Sequence, residues 1–211
     1  MKIKPKHKSY LITKRLIDVV FALLGLIVLS PIFLIVFVIL KIDSPKSPAF
    51  FEQQRIGRNG VPFNIYKFRS MVPNAEEMLK SNTALYEKYV ASGYKLPTQE
   101  DPRITKLGVF LRRSTIDELP QFWNMLIGDM SLVGPRPIVA EELKEYGDQK
   151  DIFLSVRPGA LGLWQASGRS LIEYPERTQI ELEYVANAGF FYDISIVFRN
   201  VIAIFKSKGA Y

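Results

Sequence analysis

The spacing of apolar positions changes several times along this chain, and each change predicts an element. From Val19 to Leu40 there is no charged residue. As one straight helix this 22-residue run would reach roughly 33 Å, about the hydrocarbon thickness of a bilayer. Ser30-Pro31 interrupts it near the middle. Proline lacks an N–H and its ring clashes with the preceding turn, so it kinks a helix. The Ser30 hydroxyl can serve part of the freed carbonyls. The two arms are each roughly 15–18 Å long, and neither spans a bilayer alone. Lys2, Lys4, Lys6, Lys8, Lys14 and Arg15 precede the run. Lys41, Lys46, Arg55 and Arg58 follow it, diluted by Asp43 and Glu52. Positive charge favours the cytoplasmic side, here on both flanks. A helix that enters one leaflet and returns satisfies both features; a proline-kinked transmembrane span is the alternative.

Beyond the run, "FFEQQRIGRNGVPFNIYKFRSM" (50–71) reads as a β-hairpin, with Asn59-Gly60 as the turn. Residues 74–92 read as one helix between Pro73 and Gly93, and 93–103 as a polar loop. Ile104, Leu107, Gly108 and Leu111 form a helix face that ends at Arg112 and Arg113. Leu119, Phe122, Trp123, Leu126 and Ile127 form another stripe, stopped by Gly128. "SVRPGALGLWQASGR" reads as irregular and basic. Two helices follow, near 175–187 and 192–206. The last, with Ile196, Val197, Val201, Ile204 and Phe205 ahead of Lys206 and Lys208, suits a membrane interface or a core-packed position. The expected architecture is α+β and mostly helical: a basic N-terminal arm (1–15), a re-entrant membrane helix broken at Ser30-Pro31 (16–42), and a cytoplasmic domain (43–211) with a small β-hairpin and interfacial helices near 175–206.

Composition narrows the chemistry. There is no cysteine, and the one histidine, His7, lies among lysines. Thiolate chemistry, a Ser-His-Asp triad and a typical zinc site are thereby disfavoured. The net charge of +7 points to an anionic partner. Asp117-Glu118 is the leading chemical pair. Thr115-x-x-Glu118 is a capping-box spacing, which would make both acids structural. Pro120, however, fits best as the first helical residue, which leaves Asp117 and Glu118 outside the helix. Carboxylates there can hold Mg²⁺ or act as nucleophile and base. Arg112, Arg113, Arg136 in "GPRP", Arg169 in "SGR" and Lys67 in "IYKF" offer charge for phosphate oxygens. No GxxxxGK[ST] is present, so an ordinary P-loop is excluded.

"RIGRNGVPFNIYKFRSM", "DPRITKLGVFLRRSTIDELPQFWNMLIGDMSLVGPRP" and "RPGALGLWQASGR", in that order, resemble the bacterial sugar transferases, the monotopic polyprenyl-phosphate phosphoglycosyl transferases. The resemblance runs from about residue 10 to the end of the chain and matches the family's minimal catalytic unit. It implies transfer of a sugar-1-phosphate from a UDP-sugar to polyprenyl (undecaprenyl) phosphate, with release of UMP and a requirement for Mg²⁺. This would be the first membrane step in exopolysaccharide, capsule or glycoconjugate synthesis. It implies that Asp117 is the nucleophile of a covalent phosphosugar intermediate and that Glu118 handles a proton or the metal. It also implies that the helix break at Ser30-Pro31 is re-entrant, with both termini at the cytoplasmic face of the bacterial inner membrane. Lys67, Arg112, Arg136 and Arg169 fall on the family's basic positions. Homo-oligomers and downstream glycosyltransferases are expected partners; nucleic acid is not. Ile127 stands where relatives often carry lysine, and 169–191 is a looser match. A rival from another class is a membrane-anchored, non-catalytic polyanion-binding or glycan-assembly scaffold protein, for which Asp117→Asn would be silent.

Overall fold

The uncharged run forms two helices, α1 (Lys8–Val28) and α2 (Ser30–Asp43), bent by 59° at the break. Pro31 lies in the first turn of α2, where its missing N–H is tolerated. Among the described residues no single helix is long and apolar enough to cross a membrane; the bent pair passes such a test only together. The structure, a computed structural model, describes residues 6–94, 96–168 and 171–205. The chain continues through β1 (Phe50–Ile56), β2 (Pro62–Phe68), α3 (Ala75–Ser81), α4 (Thr83–Ala91) and α5 (Lys106–Arg113). A one-turn 3-10 segment, Ile116–Glu118, precedes α6 (Gln121–Ile127) and β3 (Ser131–Val133). Then come a 3-10 stretch Ala140–Gln149, α7 (Lys150–Phe153), β4 (Gly159–Leu161), α8 (Leu163–Ser167), α9 (Glu176–Asn187) and α10 (Phe190–Phe205). The fold is mostly helical, with the expected two-stranded hairpin β1–β2. Asn59 (φ 59°) and Gly60 (φ 78°) both turn through the left-handed region, as an Asn-Gly turn requires.

Two compact units share the chain. Of the described residues, the first takes those up to Ile27, Gln53–Ile65 and those from Gln121 onward; the second takes those within Val28–Glu52 and Tyr66–Pro120. In the first, Ala22, Phe63, Ile65, Met125, Met130, Val133, Leu163, Tyr184, Val185 and Ile196 form the main core. The polar start of α1 is fixed into this unit. Lys14 Nζ pairs with Asp193 at 2.6 Å and donates to the Val133 carbonyl. Arg15 donates to the carbonyls of Met125 and Leu126 at the end of α6, where a cation suits the helix dipole. Asp18, 1% exposed, accepts from the Ser131 hydroxyl (2.9 Å) and the Leu132 N–H (2.8 Å). Lys14 and Arg15 therefore spend their charge inside the protein rather than on lipid.

The first unit also holds a short parallel pair, β3–β4, that the residue pattern did not suggest. Gly134 and Gly159 explain it: a Cβ on either would collide with the backbone of the other segment. The glycines there serve backbone-to-backbone approach. The helices near 175–187 and 192–206 are α9 and α10, but they differ in environment. Arg177, Thr178, Glu181, Leu182, Tyr184 and Val185 bury α9, so it packs into the core. On α10, Ile196 and Asn200 are buried while Phe191 and Phe198 are 83% and 64% exposed.

In the second unit, Val36, Leu40, Ala49, Phe68 and Leu111 form the core, joined by Phe33, Leu107, Ile116 and Leu119. Arg69 is buried and donates to the carbonyls of Leu40 and Pro48, closing the end of α2. The expected helix 74–92 is two helices. Asn82 breaks it because its side chain accepts the Leu85 N–H and caps α4. The expected helix 119–127 begins only at Gln121, where the chain passes into the first unit. Its buried face is Gln121, Asn124 and Met125, whereas Trp123 and Ile127 are about half exposed. Asn124 is fully buried because its amide donates to the Asn64 carbonyl at 2.7 Å.

Asp18→Ala leaves two buried donors without an acceptor. The expected loss of stability is about 1–3 kcal/mol, and less for Asp18→Asn, which keeps an acceptor. Thermal melts of the detergent-solubilised protein measure it; equal melting temperatures for wild type and Asp18→Ala would contradict this reading of α1.

Candidate active site

The site in the second unit is built on an interrupted backbone. α5 starts at Thr105, whose hydroxyl caps the Gly108 N–H at 2.9 Å. Gly108 lets this first turn press onto the chain leaving β2: a Cβ there would overlap the Ser70 carbonyl. The Ser70 carbonyl accepts the Thr105 N–H at 3.1 Å. One turn later Arg112 reaches back, and its Nε donates to the Ser70 hydroxyl at 3.0 Å. Thr115 then takes the left-handed conformation (φ 60°, ψ 12°). This is unfavourable for a β-branched residue, on the order of 1–3 kcal/mol. It reverses the chain into the 3-10 turn that carries Asp117 and Glu118, and Pro120 ends that turn before α6. Thr115 makes no side-chain cap hydrogen bond here, so the capping-box reading of Thr115-x-x-Glu118 is not what forms.

Asp117 is 5% exposed. Burial raises its carboxyl to about pKa 6; Lys67 and Arg112 oppose the rise and Glu118 adds to it. Lys67 Nζ, at the end of β2, pairs with Glu118 Oε1 at 2.6 Å. Burial lowers the Arg112 guanidinium from its ordinary value, and the charges of Asp117, Asp101 and Glu118 work against that; it stays protonated at neutral pH. Asp101 is held in a buried, two-pronged pair by Arg103, 2.8 Å on each prong. The loop 93–103 thus contributes a saturated ion pair beside Arg112. Ser70, Asp101 and Arg103 were not among the residues singled out from the sequence, and Thr115 was read only as a possible helix cap. Their side chains matter through distant partners or backbone angle, which residue spacing does not display.

Lys67, Arg112, Asp117 and Glu118 are therefore brought together. Arg113 is exposed on the last turn of α5. Arg136 belongs to the first unit, and Arg169 lies outside the described residues. Around Arg136 the "GPRP" segment is held by buried charge. The Arg136 N–H donates to Glu181 Oε1 at 3.2 Å, and Arg55 donates to the Pro137 carbonyl at 3.3 Å. The Arg136 guanidinium lies 5.7 Å over the Trp164 ring. Arg177 packs against Trp164 and Tyr174 and pairs with Glu142 at 3.0 Å. Complete burial pushes Glu181 up to about 7 despite Arg177 and the Arg136 N–H.

No group of three or more acidic or histidine side chains converges on a metal position among the described residues. Asp117 and Glu118 supply hard oxygen donors. Mg²⁺ commonly takes one or two carboxylates and completes its shell with substrate phosphate oxygens and water, and this pair fits that pattern.

The bacterial sugar transferase profile matches residues 9–207. The chain belongs to the bacterial sugar transferase family. Among its members, undecaprenyl-phosphate galactose phosphotransferase of Salmonella typhimurium is 43% identical over 94% of this chain and 41% of its own length. Exopolysaccharide production protein ExoY of Sinorhizobium fredii is 43% identical over 95% of this chain and 88% of its own. UDP-glucose:undecaprenyl-phosphate glucose-1-phosphate transferase of Escherichia coli is 35% identical over 94% and 41%. The chain spans about two fifths of the first and third of these relatives and most of ExoY.

Asp117 sets a pH test for this member of the family. An unfolded aspartate loses its proton near 3.8 and the folded one near 6, so folding stability falls as pH rises through that window. Asp117→Asn removes the buried charge and is expected to raise stability at pH 7 by up to about 3 kcal/mol. The gain should vanish below about pH 4. Melts of both proteins across pH 3.5–8 measure it; a less stable Asn variant at pH 7 would contradict the account of Asp117.

Proposed function

We propose that this chain transfers a sugar-1-phosphate from a UDP-sugar to undecaprenyl phosphate at a bacterial membrane. The observation that carries the proposal is the buried Asp117 beside the Lys67–Glu118 pair and Arg112. A UDP-sugar donor and an undecaprenyl-phosphate acceptor stand in the name of the Escherichia coli relative, and exopolysaccharide production in that of ExoY.

In the first step an Asp117 oxygen attacks the sugar-bearing phosphorus. The bond from that phosphorus to the bridging oxygen breaks, and UMP leaves with the oxygen and the electron pair. In the second step an oxygen of undecaprenyl phosphate attacks the same phosphorus. The bond from the aspartyl oxygen to phosphorus breaks, which regenerates the carboxylate and forms the undecaprenyl-diphospho-sugar. Such transfer depends mainly on positioning and charge neutralisation. Arg112 and Lys67 supply the positive charge on the chain itself. Mg²⁺, held by Asp117 and Glu118 with phosphate oxygens, would neutralise charge on the diphosphate. A carboxyl that deprotonates near 6 is a better nucleophile than an ordinary aspartate and is still mostly ionised at neutral pH. Arg113, Arg136 and Arg169 are proposed as further phosphate or nucleotide contacts. We place the bent α1–α2 pair re-entrantly in the cytoplasmic leaflet and the exposed apolar face of α10 at the interface.

UMP release from a panel of UDP-sugars, with undecaprenyl phosphate and Mg²⁺, tests the reaction. Release with at least one donor is expected, with a fall of at least about 10³-fold in Asp117→Asn, as for loss of a covalent nucleophile. Turnover that persists in Asp117→Asn would sink the nucleophile assignment, and no release from any donor by folded protein would favour the scaffold reading. Because the chain has no cysteine, single cysteines at the exposed His7 and Lys46 report topology. A membrane-impermeant maleimide should label both from the cytoplasmic side; labelling from opposite sides means a spanning helix.

A further inference from the structure

Arg112 is anchored at one atom and open at the others. Its Nε is committed to the Ser70 hydroxyl. Its two terminal nitrogens make no hydrogen bond to any described residue, and neither is a sealed, unpartnered atom. The charges of Asp117, Asp101 and Glu118 act on the guanidinium without a hydrogen bond to it; both oxygens of Asp101 accept from Arg103, and Glu118 pairs with Lys67. An arginine fixed through Nε can present its two Nη groups as a flat fork, the geometry that fits two oxygens of one phosphate. Ser70 is itself buried, and its place is set by its backbone rather than its side chain. Its carbonyl accepts from Thr105, and Gly108 lets α5 approach it.

We infer that Ser70 is a positioning residue, whose hydroxyl holds Arg112 by Nε so that both terminal nitrogens stay turned out beside Asp117 for a phosphate of the donor. This rests on the proposed reaction. It goes beyond it by assigning a residue that touches neither substrate nor Asp117 and by stating which nitrogens of Arg112 meet the ligand. Ser70→Ala removes the hydroxyl but leaves the backbone contacts to Thr105 and Gly108 intact, so the local fold should survive. Without the anchor the guanidinium swings among several rotamers, or turns Nε toward Asp117.

A double-substitution cycle tests the inference, with protein in lipid nanodiscs and UDP as the probe, measured by calorimetry alongside UMP release. Ser70→Ala should weaken UDP binding and raise the donor KM, each by roughly tenfold or more, the scale of one charge-assisted hydrogen bond, with a smaller change in kcat. Ser70→Thr, which keeps the hydroxyl, should restore most of the loss. In an Arg112→Ala background, Ser70→Ala should cost nothing further. An equal loss in both backgrounds would mean that Ser70 acts through the general fold and would overturn the inference. Unchanged UDP affinity and KM in Ser70→Ala would overturn it as well. Wild-type protein that binds UDP in this Ser70-dependent way but releases no UMP would defeat the transfer reaction while leaving the Ser70–Arg112 assignment standing.

Discussion

The site depends on keeping the Asp117 carboxylate out of water without losing its charge at neutral pH. Moving an ionised carboxylate into a protein interior costs several kcal/mol even after relaxation. The rise to about 6 corresponds to about 3 kcal/mol left uncompensated. Lys67 and Arg112 offset the rest, and Glu118 is kept from adding its full repulsion because Lys67 pairs with it at 2.6 Å. The result is a carboxylate that is charged at pH 7 but poorly solvated, a condition that favours nucleophilic attack. Moving either cation would raise the Asp117 carboxyl further.

That placement is bought by backbone irregularity. Gly108 allows α5 to touch the chain leaving β2, Thr115 turns left-handed, and Pro120 prevents the 3-10 turn from joining α6. Each feature works against regular helix, and together they hold two acids in a turn that an uninterrupted helix would carry around its own axis. The saturated Asp101–Arg103 pair belongs to the same logic. It brings charge near Arg112 without competing for its open nitrogens, since both Asp101 oxygens are already engaged. In the first unit the buried carboxylates Glu142 and Glu181, with Arg55 and Arg177, serve backbone instead: they hold the segment that displays Arg136.

Local signals were legible in the sequence where local chemistry decides. The Asn59-Gly60 turn, the proline break in the uncharged run, and the isolation of Asp117-Glu118 ahead of Pro120 all follow from φ preferences or a missing N–H, and the structure has each. Long-range effects were not legible. Nothing near Lys67 announces Glu118, 51 positions away. The β3–β4 pair is three residues per strand, and its glycines resemble loop until two backbones are seen to touch. The stripe of Trp123 and Ile127 looked like a core face, but the buried face is carried by Gln121, Asn124 and Met125, because Asn124 finds a carbonyl partner in Asn64. Asn82 inside an apparent helix was ambiguous for a similar reason: only its side-chain bond to Leu85 makes it a cap.

The central claim is that Asp117 itself receives the phosphosugar. The most direct measurement is peptide-mapped mass spectrometry of protein mixed with its UDP-sugar donor and Mg²⁺ in the absence of undecaprenyl phosphate, quenched in acid within seconds. The account predicts a mass increase of one sugar-phosphate on the peptide containing Asp117, discharged when undecaprenyl phosphate is added and absent from Asp117→Asn. UMP release with no adduct on that peptide, or an adduct that survives Asp117→Asn, would contradict it.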